Sequence, residues 1–163
     1  MSRLDSFIRR LEAQRRMLEW AAAEIEGRDG LVLELGLGNG RTYDHLRERL
    51  PERAIHVFER DVGPNPASMP PEDRLVVGDM VQTLPAFAAR HGRCAALIHA
   101  DVTTGVPERD RVLFAWLPPA VVALAAPEAL VVSGWAIEHP LLEAVALPEG
   151  VPQGRYFAYR RRG

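Results

Sequence analysis

The chain has 163 residues, 47% of them hydrophobic and 26% charged, with a net charge of −2 and a pI of about 6.2. A chain of this length is expected to form one domain, residues 1–163, that buries about 68 to 70% of its unfolded surface without disulfide or metal staples. The near-neutral charge excludes bulk attraction to nucleic acid or an anionic membrane; Cys94 alone excludes an intrachain disulfide and a cysteine zinc site; and 20 basic residues without one lysine exclude Schiff-base chemistry and phosphate-loop nucleotide hydrolysis.

Leu4, Ile8, Leu11, Leu18, Ala22 and Ile25 recur at helical intervals with Arg and Glu between them, which predicts an amphipathic helix from Ser2 to Glu26. Its apolar face has three readings: packing on the core, walling a substrate site, or joining a second copy in a homo-oligomer. Residues 1–27 are charged throughout, unlike a secretory signal, and no apolar run reaches the roughly 18 residues of a membrane span, so a cytoplasmic protein is expected. Gly27 and Gly30 end the helix, and a strand is predicted over Leu31–Leu35.

That strand runs into Gly36-Leu37-Gly38-Asn39-Gly40-Arg41-Thr42. The three glycines let the backbone take positive φ and approach a ligand with no Cβ in the way. A helix predicted from Arg41 to Leu50 adds its unpaired first N–H groups, so loop and helix together favour a small anionic group. A dinucleotide loop needs its third glycine where Arg41 stands, and a long side chain there spoils the close helix–strand contact, which disfavours a nicotinamide enzyme.

Pro51 precedes a second apolar run, Ala54–Phe58, that ends in Glu59. An acid about 20 residues past a glycine loop, at the carboxyl end of the next strand, can accept from a ribose diol, and Glu59 fits. Residues 61–73 hold Pro64, Pro66, Pro70 and Pro71, too much proline for a crossover helix, so an irregular connection with one short turn is expected. A third strand over Arg74–Val77 leads through Gly78-Asp79-Met80, with Asp79 suited to cap a helix from Met80 to Arg90.

Cys94–Ala100 reads as a strand covered on both faces. It delivers His99 and Asp101 to its carboxyl end on one face, where they either meet as a base and its orienter or line one wall together, and where ligands of open α/β sheets bind. A Thr103-Thr104-Gly105 turn, a helix over Pro107–Trp116, a second helix beyond Pro118-Pro119 to Ala126, and a strand over Leu130–Ser133 follow. Arg155–Arg161 is predicted as an antiparallel last strand whose arginines protect a sheet edge. The alternation gives an α/β fold, a doubly wound and mostly parallel sheet.

The ordered set Glu34-x-Gly36-x-Gly38-x-Gly40, Glu59, Gly78-Asp79-Met80 and Asp101 resembles the class I S-adenosylmethionine-dependent methyltransferases over about residues 31–134. The wording Gly-Leu-Gly-Asn-Gly-Arg-Thr-Tyr-Asp-His-Leu and His-Ala-Asp-Val-Thr-Thr-Gly is similar to a small bacterial family of presumed methyltransferases of unnamed substrate. The resemblance implies a minimal Rossmann-like core, residues 31–163, behind the N-terminal helix, with S-adenosyl-L-methionine as cofactor and S-adenosyl-L-homocysteine as product. It implies Glu34 on the methionine amine and Gly36, Leu37, Gly38, Gly40, Arg41 and Thr42 around the carboxylate end. It further implies Glu59 with Arg60 beside the ribose, Asp79 with Met80 at the adenine, and Asp101 or His99 facing a small-molecule acceptor. Metal-assisted members place an Asp-Asn pair after the fifth strand; Glu138-His139 stands here instead, so no metal is expected. A cofactor-binding sensor or partner subunit without chemistry would keep the same contacts.

Overall fold

The computed structural model describes residues 2–104 and 106–163; Gly105 of the predicted turn lies outside them. Helix α1, Arg3–Glu24, opens with a reciprocal cap in which Ser2 Oγ accepts from the Asp5 N–H and the Asp5 carboxylate accepts from the Ser2 N–H, each at 3.0 Å. Then come β1 (Leu31–Leu35), α2 (Arg41–Arg49), β2 (Ile55–Glu59), β3 (Leu75–Val77), α3 (Met80–His91), β4 (Ala95–Ala100), α4 (Pro107–Leu124), β5 (Ala125–Ser133), β6 (Leu142–Ala144) and β7 (Phe157–Arg161). The proline-rich connection after β2 carries two short 3-10 turns, at Pro66–Ser68 and Glu72–Arg74, where one was expected.

The strands lie in the order β3-β2-β1-β4-β5-β7-β6. The first five are parallel, and β7 runs antiparallel to both β5 and β6. The order reverses between β1 and β4, where a crevice opens at the carboxyl edge.

Period-two alternation splits the core between the sheet's two faces. Val32, Val57, Leu97 and Val132 pack under α1 and α2 with Met17, Leu18, Ala21 and Leu46. Leu33, Leu35, Phe58, Ile98 and Val131 pack under α3 and α4 with Leu84, Leu117 and Val121. Glu34 and His99 share the parity of Val32 and Leu97, and the β1–β4 register pairs them directly. Two polar residues therefore meet beneath α1 inside an apolar layer.

Four expectations are corrected. The predicted break at Pro118-Pro119 is absent, and α4 runs through both prolines. Each proline removes a backbone N–H and so a rung of the helix ladder, but Leu117, Pro118, Val121, Val122 and Leu124 are buried around the gap, and tertiary burial overrides local preference. Strand β5 starts at Ala125, its pairing with β4 shifting between Ala95 and Leu97, with Glu128 at φ 62° in the irregular stretch. Strand β6 was not expected, its three residues being too short for a periodic signal. Because β6 covers β7, the last strand is antiparallel as expected but not an edge, and Arg161 is buried instead of guarding one.

Candidate functional site

Gly36 closes the crevice floor. At φ 91° its absent Cβ would lie 3.0 Å from the Asp101 carbonyl oxygen, so only glycine lets the end of β1 touch the end of β4. Gly40 serves the other side of the loop. It caps α2 at φ 82°, and a Cβ there would fall 2.6 Å from Ser68 Cβ, which is how the proline-rich connection seats against the loop.

The anion that the loop N–H groups hold belongs to the chain itself. Glu59 Oε2 accepts from Leu37 N–H at 2.9 Å and Gly38 N–H at 3.1 Å. Its Oε1 accepts from Arg60 N–H at 2.7 Å and Asp61 N–H at 3.3 Å. Glu59 thus clamps the loop to the end of β2, a second duty beside any ribose contact. Asp79 Oδ1 caps α3, accepting from Val81 N–H at 3.0 Å.

Three joined clefts run along the carboxyl edge, and Asp101 lines all of them. A middle cleft of about 400 Å³ lies between α1 and the loop, lined by Arg10, Gln14, Gly36, Leu37, Gly38, Arg41 and Thr42. On the β2–β3 side, a cleft of about 330 Å³ is lined by Glu59, Arg60, Asp79, Met80, Leu113 and Trp116. On the β5–β7 side, one of about 400 Å³ is lined by Arg10, Trp135, Arg155, Tyr156 and Phe157. Each is of small-ligand size. Of the residues expected at the site, Glu34, Gly40 and His99 line none of these clefts.

Glu34 and His99 instead begin a buried chain of hydrogen bonds. Thr42 Oγ1 donates to Glu34 Oε1, and Glu34 Oε2 lies 2.6 Å from His99 Nδ1. His99 Nε2 is 2.9 Å from Tyr156 Oη, which accepts from Gln14 Nε2 at 2.9 Å; the same amide donates to Asp101 Oδ2 at 2.8 Å. For the neutral ring, counting donors assigns the tautomer: with Nδ1–H donating to Glu34, Nε2 accepts from the Tyr156 hydroxyl, which gives that hydroxyl's own proton an acceptor. Glu34 and His99 are wholly buried, and Tyr156 is 3% and Gln14 8% exposed. Burial opposes charge on the His99 ring, but the Glu34 carboxylate against it, with Asp101 adding in the same sense, raises its pKa above the ordinary value. Burial above all, with the Asp101 and Glu34 charges, pushes the Tyr156 phenol up out of reach of any physiological pH.

His99, expected to face an acceptor, is therefore withdrawn beneath α1, and Asp101 is brought to the clefts with its side chain 24% exposed. The two do not touch as a base and its orienter would; Tyr156 and Gln14 stand between them. Neither Glu138 nor His139 lines a cleft; His139 Nδ1 accepts from Leu141 N–H at 3.1 Å. Among the described residues no group of three His, Cys, Asp or Glu is placed to hold a metal. Gln14, Tyr156 and Trp135 escaped the sequence reading. Gln14 had a signal, a polar residue between Ala13 and Met17 on the buried stripe of α1; Tyr156 had none, since its partners Gln14 and His99 are remote in sequence.

Residues 1–161 match the family described as S-adenosyl-L-methionine methyltransferase. The crystal structure of an S-adenosyl-L-methionine methyl transferase from Silicibacter pomeroyi DSS-3 is 45% identical, with a TM-score of 0.93 and 99% of each chain covered. Cofactor-bound Rv0187 from MTB is 20% identical, with a TM-score of 0.61 over 91% of this chain and 79% of that one. A 16S rRNA (adenine(1408)-N(1))-methyltransferase from Catenulisporales acidiphilia, a W203A mutant with cosubstrate SAM, shares 14% identity and a TM-score of 0.51 over 90% of each chain. The latter two likenesses concern the fold alone, and a fold does not choose an acceptor. No curated protein matches.

Proposed function

Because the chain belongs to the S-adenosyl-L-methionine methyltransferase family, we propose that its three clefts divide one methyl transfer to a small-molecule acceptor, with Asp101 at their junction as the base. The carrying observation is that Asp101 alone among the carboxylates lines all three clefts. S-adenosylmethionine, when bound, supplies a methyl group already activated by its sulfonium charge.

The residues present fit that cofactor. Gly38 leaves room for close approach, since a Cβ there would meet nothing within 4 Å. The middle cleft would take the methionine end against Gly36, Leu37, Gly38, Arg41 and Thr42. The β2–β3 cleft would take adenosine, with Glu59 and Arg60 beside the ribose and Asp79 and Met80 beside the adenine, walled by Leu113 and Trp116. Glu34 reaches the methionine end only through Thr42, whose hydroxyl it holds. Gly40 acts from behind, by seating the loop.

Asp101 works by position and by accepting a proton. Gln14 ties up Oδ2, which leaves Oδ1 for the acceptor's O–H or N–H. An amide N–H donates and cannot carry a proton onward, so the chain to Glu34 holds Asp101 in place without draining it. In this reading Gln14, Tyr156 and His99 are positioning residues, and the proton leaves from Asp101 to solvent at the cleft mouth. The protein is read as cytoplasmic, in keeping with the free thiol of Cys94 and with the absence, among the described residues, of a helix long and apolar enough to cross a membrane.

A methyl-transfer screen of metabolite pools with labelled cofactor identifies the acceptor. Calorimetry is expected to show S-adenosylhomocysteine binding and NAD not binding; the reverse preference sinks the reading. Asp101→Ala is expected to keep cofactor affinity and lose turnover, and normal turnover would remove Asp101 from the chemistry.

A further inference from the structure

The β5–β7 cleft has a charge and shape of its own. Two guanidinium side chains, Arg10 and Arg155, line it against one carboxylate, Asp101. Arg10 Nη2 stands 4.0 Å from Asp101 Oδ2, beyond hydrogen-bond reach, and Arg10 is 57% exposed, so its donors stay free for a ligand. Arg155 is half-buried and, among the described residues, makes no ion pair or side-chain hydrogen bond. A guanidinium with no protein anion beside it keeps its planar fork of donors for an anionic ligand. Flat rings also contribute to the lining. Trp135, 45% exposed, is propped by Phe114 at 5.9 Å between ring centroids, and Phe157 lines the same cleft.

Resting on the methyltransferase reading above, we infer that this cleft binds a planar aromatic acid, its ring between Trp135 and Phe157, its carboxylate on Arg155 and its nucleophilic hydroxyl or amine at Asp101. A cationic acceptor would meet two arginines and, once the cofactor is in place, a sulfonium charge. A neutral one would leave Arg155 unpaired. An anion complements all three positive groups, and guanidinium–carboxylate pairs are among the stronger hydrogen-bonded contacts. The step balances: the acceptor's heteroatom gains the methyl as the methyl–sulfur bond breaks, and its proton passes to Asp101 Oδ1.

Protein saturated with S-adenosylhomocysteine is titrated with three probes of one shape, 3-hydroxybenzoate, 3-hydroxybenzamide and 3-hydroxybenzylamine, by calorimetry or ligand-observed NMR. The acid is expected to bind about tenfold or more tighter than the amide, and the amine weakest, as one charge-assisted contact implies. Arg155→Gln is expected to erase the preference for the acid while S-adenosylhomocysteine affinity stays at the wild-type value, which also shows that the variant is folded. Arg155→Lys keeps most of the preference, and Trp135→Ala weakens acid and amide alike. Equal binding of acid and amide, a preference that survives Arg155→Gln, or no binding of any probe overturns the inference. Loss of S-adenosylhomocysteine binding by the wild-type protein overturns the methyltransferase reading first, so the two failures are distinguishable.

Discussion

The β1–β3 half of the edge and the β4–β7 half are built over different distances along the chain. In the first, Glu59 reaches Leu37 across 22 residues and Thr42 reaches Glu34 across 8. In the second, Gln14 reaches Asp101 across 87 residues and Tyr156 across 142, and His99 reaches Tyr156 across 57. The glycine loop and its acid can take shape within one strand–helix–strand unit, whereas Asp101 is oriented only after α1 and the segment before β7 have both docked. Binding of the cofactor and use of the acceptor should therefore be separable by mutation.

The largest effect is expected from His99→Leu. It leaves the Glu34 carboxylate wholly buried without its partner, which costs about 3–5 kcal/mol, read as a loss of unfolding free energy in urea. The double variant Glu34→Met with His99→Leu is expected to regain most of that, since two apolar residues remove the stranded charge. If the single variant stays within about 1 kcal/mol of wild type, the buried pair does not have the energetic weight its geometry implies.

Glu59→Ala tests the local half. Losing a charged acceptor, and with it the clamp on the Leu37 and Gly38 N–H groups, is expected to weaken S-adenosylhomocysteine binding by about 2–3 kcal/mol in calorimetry. Unfolding free energy should change much less, because Glu59 is only partly buried. Unchanged affinity would show that neither clamp nor ribose contact matters to the cofactor half.

This division of distances also governed what the sequence could disclose. The glycine spacing, Glu59 and Asp79 follow from local rules, and Gly36, Gly38, Glu59 and Asp79 line the clefts. For His99 and Asp101, strand parity alone leaves two readings, a base with its orienter or two groups on one wall. Parity does put both toward α1, but it cannot show that His99 stops inside the layer while Asp101 emerges from it. The link between them comes from Gln14, a single polar residue on an apolar helix face, and from Tyr156 on an irregular segment. The helix break at Pro118-Pro119 failed for a related reason: a proline's local cost is visible in sequence, and the burial that offsets it is not.

Tyr156→Phe probes the long-range half more gently. Without the hydroxyl, the Gln14 amide loses an acceptor and His99 Nε2 a donor, a loss of about 1–2 kcal/mol in unfolding free energy. Cofactor affinity is expected to hold, and turnover on the acceptor found by the labelled screen to fall through kcat, since Asp101 is no longer braced. A fall in cofactor affinity equal to that of Glu59→Ala would mean that the two halves are one unit.

The smallest and most specific effect is on pH dependence. His99 has a raised pKa in the folded chain, so protonation favours folding. Its contribution is complete below the unfolded value of about 6.5 and fades as pH rises through the higher folded value. His45 and His56 slope the opposite way. Burial, with Arg49 beside the first and Arg74 beside the second, lowers their pKa, so they oppose folding as pH falls. The wild-type curve mixes these signs, and the informative quantity is the difference in unfolding free energy between wild type and His99→Gln. That difference is expected to be larger near about pH 6 than near about pH 8.5. If it grows with pH instead, the ring is held neutral by burial, Glu34 does not dominate it, and the buried chain braces Asp101 by shape alone.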